Sequence, residues 1–228
     1  MSTPSIARFR GPHIGFVALA FVLLFCAGLF FVTALSARPS FPSPDADIAT
    51  MTAFFTQRQH GLLLMSFLHF GAAMALGIFT VSAVSQLQFL GVRAAGAGIA
   101  LFGGLATAIN MLLGSLLGWA LTYPGVAQDP SLLQALYRIS FGLGGPGFSV
   151  PFGLLLAGIS ITAGFYKLLP KWLVICGVLI AVIGELSWFE ILTFKAVVLI
   201  PLTRFPGYLW IIAAGFLLPR KVAIPDAG

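Results

Sequence analysis

The sequence predicts an all-α protein, a polytopic transmembrane bundle of about six helices forming one domain over residues 1–228. Three observations carry this expectation. Hydrophobic residues make up 59% of the chain and charged residues only 8%, against roughly 25% charged in soluble domains. The apolar residues fall in continuous runs of about 20, the length that crosses a hydrocarbon core of ~30 Å. None of the runs shows the polar–apolar alternation that a membrane barrel requires.

The first run, 14–35, follows Arg8 and Arg10 and precedes Ser36 and Ala37. Those flanks resemble a secretory signal, but the run exceeds the 7 to 15 residues of a signal core, about which such peptides are built. It is read as an uncleaved first helix. The second and third runs, 59–85 and 94–122, are joined by the short link 86–93. The fourth and fifth, 147–166 and 171–193, are joined by 167–171, and the sixth covers 205–219.

Three longer links remain, 36–57, 123–145 and 194–204. After Pro39, Pro42 and Pro44, Asp47 is placed to cap a short helix with Ile48, Met51, Phe54 and Phe55 on one face. After Asp129, Pro130 takes a first helical position, and Leu132, Leu133, Leu136 and Ile139 follow on a similar stripe. The third link is apolar but interrupted by Pro201. Each link leads through an arginine to a glycine: Arg58 and Gly61, Arg138 and Gly142, Arg204 and Gly207. This pattern predicts three helical hairpins with amphipathic segments on the outer face. With 26 glycines in the chain, the same spacing also arises by chance.

Orientation follows from the basic residues. An inside N-terminus puts Arg8, Arg10, Arg93, Lys167, Lys171, Arg220 and Lys221 in the cytoplasm. Arg38, Arg58, Arg138, Lys195 and Arg204 are then outside. The short basic links without acids are where the positive-inside rule is strongest, so both termini are expected inside. The net charge of +6 does not point to nucleic acid, because the basic residues stand singly between apolar runs. Cys26 and Cys176 fall inside predicted helices and behave there as small hydrophobes, with no disulfide or metal expected. His60 and His69 are nine residues apart on one helix, about 13 Å by helical rise and on opposite faces. Together with the distant His13 they make no haem pair, and no cofactor is expected.

Helices in lipid associate through close contact of small residues and through polar pairs. The third run carries Gly103, Thr107, Asn110, Gly114 and Gly118 on one stripe and is expected at the centre. Ala73 with Gly77, Gly153 with Ala157, and Ser160 with Gly164 offer matching surfaces. Trp119, Tyr123, Tyr166, Trp172 and Trp188 mark helix ends near the interface.

Polar groups at membrane depth are functional candidates by default. His69, Asn110 and Glu185 qualify, all between the midplane and the outer third. One reading gathers them as a ligand- or proton-binding pocket in the outer half, with Glu185 as proton carrier or cation ligand. The other makes them a structural hydrogen-bond cluster. Glu190 lies close enough to the interface to pair with Lys195 or Arg204. The entrance to the fourth run, Gly142, Gly144, Gly145, Pro146 and Gly147 with Pro151 beyond, predicts a broken helix. Such breaks expose backbone groups that bind substrates in transporters; a simple kink is the alternative. No lysine follows and no strand precedes these glycines, so they are not a phosphate loop.

The stretch 201–219, PLTRFPGYLWIIAAGFLLP, together with the six-helix layout, resembles small bacterial inner-membrane proteins of unknown function. The resemblance implies a bacterial inner membrane and brings no activity or site residues. The expected partners are the lipid bilayer and either a second copy or another membrane protein. The favoured reading is a small transport or ligand-binding bundle. The alternative is a structural or regulatory subunit, and an enzyme has least support because no nucleophile or acid–base pair stands out.

Overall fold

A backbone surrounded by apolar side chains must satisfy its own polar groups, and a helix does so within one segment. The computed structural model describes residues 5–33 and 41–224. Arg38 and Pro39, the Ser36 and Ala37 that flank the first run, and that run's end at Leu35 lie outside the described residues. The elements run β1 (Ser5–Arg8), α1 (Ile14–Thr33), α2 (Ile48–Gln57), α3 (Gln59–Phe89), α4 (Ala95–Ala120), α5 (Pro124–Gln128) and α6 (Pro130–Gly144). They continue as α7 (Pro146–Phe165), α8 (Lys171–Leu186), two 3-10 turns (Ser187–Ile191 and Phe194–Val198), α9 (Leu199–Leu217) and β2 (Lys221–Ile224).

Among the described residues, six segments are long and apolar enough to cross a membrane: α1, α3, α4, α6 with α7, α8 with the first 3-10 turn, and the second turn with α9. This is the pattern of a multi-pass membrane protein. Consecutive long helices pack side by side (α1 on α3, α3 on α4, α4 on α7, α7 on α8, α8 on α9), and α9 returns to α1 to close a ring.

The helix expected at the centre is not the one found there. Helix α7 buries Phe148, Phe152, Leu155, Leu156, Ile159 and Ala163, whereas α4 leaves Ile99, Phe102, Ile109, Leu113 and Leu116 exposed. The glycine stripe of α4 is divided between neighbours: Gly118 meets Ser66 of α3, and Gly103 makes a close crossing with α7. A Cβ on Gly103 would stand 2.5 Å from the Pro151 carbonyl oxygen and 2.6 Å from the Leu155 nitrogen. On the facing helix, a Cβ on Gly158 would stand 2.6 Å from the Ala100 nitrogen.

A two-stranded ribbon, absent from the sequence reading, joins the chain ends. β1 and β2 pair antiparallel with Ser5 opposite Ile224 and Arg8 opposite Lys221. The same end carries the two short links. Phe9 packs on Phe89 at 5.7 Å between ring centroids, and the Arg93 amide donates to the Tyr166 hydroxyl at 3.3 Å. Buried Gln86 donates to the carbonyls of Leu218 and Pro219 at 3.1 and 2.8 Å. This is called the ribbon end below.

At the opposite end, α2, α5 and α6 form a cap with its own apolar core. Met51, Phe54, Phe55, Leu133 and Tyr137 are buried there against Val32, Leu62 and Leu121 of the bundle. Asp47 starts α2 by accepting from the Thr50 amide at 2.9 Å, and Asp129 starts α6 by accepting from the Ser131 and Leu132 amides. The buried face of α2 includes Met51, Phe54 and Phe55 as the periodicity predicts, with Ile48 more exposed. That of α6 follows the prediction in part. Leu133 is buried and Leu136 packs against the cap core, whereas Leu132 and Ile139 are exposed and Tyr137 points inward. The phase is set by Tyr137, whose hydroxyl donates to the Pro42 carbonyl and whose ring packs on Phe55 at 5.1 Å.

The sixth helix also begins earlier than its apolar run suggested. Pro201 is the third residue of α9, within the first turn, where no intrahelical amide bond is lost. Arg204 therefore belongs to the helix rather than to an outer link.

Candidate functional site

The break between α6 and α7 falls where the glycines place it. α6 ends at Gly144, Gly145 stands between the helices with φ −80° and ψ −108°, and Pro146 opens α7. Two carbonyls there lack their ordinary helical donors. Gly147 would bond the amide four residues on, but that residue is Pro151 and has no N–H. Asn110 Nδ2 of α4 donates to the Gly147 oxygen instead. The Gly144 oxygen, at the C-terminus of α6, receives the guanidinium of Arg204 from α9.

Arg204 is held by more than this bond. Its guanidinium carbon lies 4.8 Å from the Phe148 ring centroid and 5.4 Å from that of Phe25, within cation–π range. Phe25 also stacks on His69, with centroids 4.5 Å apart and planes 3° from parallel. His69 Nε2 donates to the Phe25 carbonyl at 3.1 Å. Because a carbonyl only accepts, this bond places the proton on Nε2 and leaves Nδ1 of the neutral ring as an acceptor. The close fit needs a glycine opposite, since a Cβ on Gly28 would stand 2.7 Å from His69 Cδ2.

These side chains line a cavity of about 410 Å³ between the bundle and the cap, in the half remote from the ribbon end. Its polar lining includes His69, Asn110, Arg204, Ser66, Ser115 and Ser140; its apolar lining includes Leu29, Met65, Met111, Phe148 and Ile200. Phe41 and Tyr137 lie toward the cap. Volumes of 300–1,000 Å³ with few polar groups on an apolar lining are typical of small-molecule sites.

The structure thus brings together His69, Asn110 and the glycines Gly144 and Gly145 of the break, but not Glu185. Glu185 sits at the crossing of α8 and α7, its Oε1 3.1 Å from where a Cβ on Gly153 would lie. That oxygen is buried without a hydrogen bond. Residues at equal depth on different helices meet only if their helical faces also match, and Glu185 faces the α7 contact. Glu190 pairs with neither Lys195 nor Arg204. Its Oε2 lies 3.0 Å from the Cβ position of Gly145 and is likewise buried without a partner. Among the described residues the ion pair formed is the exposed Arg138–Asp45 contact at 3.7 Å.

Arg204 is the site residue that the sequence reading missed. An arginine inside the apolar stretch 196–217 was the available signal. It was hidden by treating Pro201 as a helix break instead of a first-turn residue. Of the other residues weighed in the sequence, His13 accepts from the Gly15 amide at 3.3 Å at the start of α1, and Cys26 and Cys176 are free thiols on exposed helix faces. Compared with protein-family models, curated proteins and solved structures, the chain matches none.

Proposed function

We propose that this protein is a small transport or ligand-binding bundle of the bacterial cytoplasmic (inner) membrane, with both termini inside and the cavity in the outer half. The orientation is supported by the ribbon end, where Arg8, Arg10, Arg93, Lys167, Lys171, Arg220 and Lys221 gather with no acidic residue among the described ones. The bacterial membrane is supported by the resemblance of the C-terminal stretch. The ligand reading rests on one observation, the 410 Å³ cavity with His69, Asn110 and Arg204 in its lining.

The test is a small-molecule thermal-shift screen on the full chain, repeated with Gly114→Leu. Gly114 lines the cavity, and a Cβ there meets nothing closer than Leu143 Cβ at 3.8 Å, so the larger side chain is accommodated by occupying the cavity. Ligands that stabilise the wild type and not the variant support the reading, and uptake into proteoliposomes then separates transport from binding. Stabilisation that Gly114→Leu leaves intact would sink it.

A structural or regulatory subunit is the second reading. It is favoured by the fact that Asn110 and Arg204 already serve the broken helix through Gly147 and Gly144. Under it, native purification yields a stoichiometric membrane partner, and Gly114→Leu leaves that complex intact.

A further inference from the structure

We propose that the cavity receives an anionic amphiphile, a molecule with one carboxylate-like head and an apolar body, and that Arg204 binds the head. The inference rests on the cavity being a ligand site and names the chemistry of what fills it.

Among the described residues, Arg204 is the only side chain lining the cavity that carries a permanent charge, and no acidic one lines it. Guanidinium offers five donors in one plane. One terminal nitrogen is used on the Gly144 carbonyl, while Nε is buried without a hydrogen-bond partner. No carboxylate comes within 4.0 Å of the group among the described residues. The rings of Phe25 and Phe148 approach the guanidinium but accept no conventional hydrogen bond from its edge. A cation in such surroundings is costly until an anion or a strong acceptor completes it. A bound anionic head supplies both charge and acceptors, and carboxylate or phosphate geometry matches the planar fork.

The rest of the lining selects the body. Leu29, Met65, Met111 and Ile200 present aliphatic and thioether surface, and flexible methionines accommodate varied apolar shapes. A small hydrophilic anion would leave this wall without contacts. A neutral hydrocarbon would leave Arg204 without its counter-charge.

The same chemistry has two sources, a free amphiphile and the phosphodiester head of a bilayer lipid, and the experiment separates them. The full chain is placed in phosphatidylcholine nanodiscs, and its unfolding midpoint is followed while octanoate, octanol or octylamine is added. Octanoate is expected to raise the midpoint by several degrees, with little effect from the other two. Arg204→Gln removes the charge while keeping a polar side chain, and should weaken octanoate at least tenfold. If that variant does not fold, Gly114→Leu, which retains Arg204, should abolish the octanoate shift. If phosphatidylglycerol in the disc suppresses the octanoate shift in the wild type, the head is supplied by the bilayer and the Arg204 assignment holds. An equal shift from octanoate and octanol, unchanged in Arg204→Gln but lost in Gly114→Leu, overturns the anion inference and keeps the cavity as a ligand site. A shift with octanoate that Gly114→Leu leaves intact, or no shift with any of the three, overturns the inference; the first of these also removes the ligand reading itself.

Discussion

Asn110 makes the hydrogen bond that Pro151 cannot. Its side-chain amide, on α4, donates to the Gly147 oxygen on α7, the carbonyl left open by the missing N–H of Pro151. The bond joins two helices and repairs a third party's omission, so the two residues should be energetically coupled. Asn110→Ala is expected to destabilise the protein by about 1–2 kcal/mol, the cost of an unsatisfied buried carbonyl in a bundle. Combining it with Pro151→Ala, which restores a backbone donor, should cost less than the sum of the single changes. Unfolding of the four proteins in one detergent closes the cycle, and strict additivity would refute the coupling.

The crossing of α4 and α7 makes a second, steric prediction. Gly103→Leu forces atoms against the Pro151 carbonyl and the Leu155 amide, backbone that cannot yield cheaply. A loss of roughly 1–3 kcal/mol or more follows from overpacking. Gly98→Leu, on the exposed side of the same helix with nothing within 4 Å of its Cβ position, should be near neutral. Thermal unfolding of the pair gives the comparison, and equal effects would contradict the described crossing.

The cap should respond to pH through Asp47. Hydrogen bonds from the Thr50 amide and hydroxyl, at 2.9 and 2.8 Å, hold this carboxyl below its usual pKa. A group whose pKa is lowered on folding stabilises above its unfolded value and loses that effect as pH falls through the folded one. Protection of α2 amides from hydrogen exchange is therefore expected to persist at neutral pH and to decline below about pH 4. Asp47→Ala should lower it at neutral pH and remove that acid dependence.

The pairing of the ribbon strands can be tested directly. Ile6 and Ala223 are paired across β1 and β2. In a protein with Cys26 and Cys176 replaced by alanine, Ile6→Cys with Ala223→Cys should oxidise to an intramolecular disulfide, detected by gel mobility. Directly paired antiparallel residues lie within disulfide reach. A control pair placing the second cysteine at Ala127, in the cap, should remain reduced.

Glu185 provides a negative prediction. Because it faces Gly153 rather than the cavity, Glu185→Gln should leave ligand affinity unchanged within about twofold. A tenfold loss, read by the same thermal shifts, would return this carboxylate to the site.

What could be read from the sequence was what depends on local composition. Continuous apolar runs gave the six long segments, and Gly145 with Pro146 gave the break, because both effects act within a few residues. Orientation around each helix was harder. In lipid the outward face is as apolar as the inward one, so Leu132 and Leu133 look alike until Tyr137 finds Pro42. The same degeneracy placed Glu185 beside His69 on depth alone. Arg204 was misassigned because one proline admits two meanings, a break or a first turn. The ribbon was invisible because two four-residue strands more than 200 residues apart carry no local signal.

The closed order of the helices sets a timetable for synthesis. α1 emerges first, yet the partner that completes its contact surface is α9, whose first residue follows that of α1 by 185 positions. At 5–20 residues per second, the interval is roughly ten to forty seconds. Through that wait Phe21 has no Tyr208 to pack on, and Ile14 and Gly15 have no Gly215 or Phe216 beside them. The nascent bundle is an open arc until its final helix arrives. During this interval the face of α1 that α9 covers in the finished bundle is left to whatever surrounds the nascent chain.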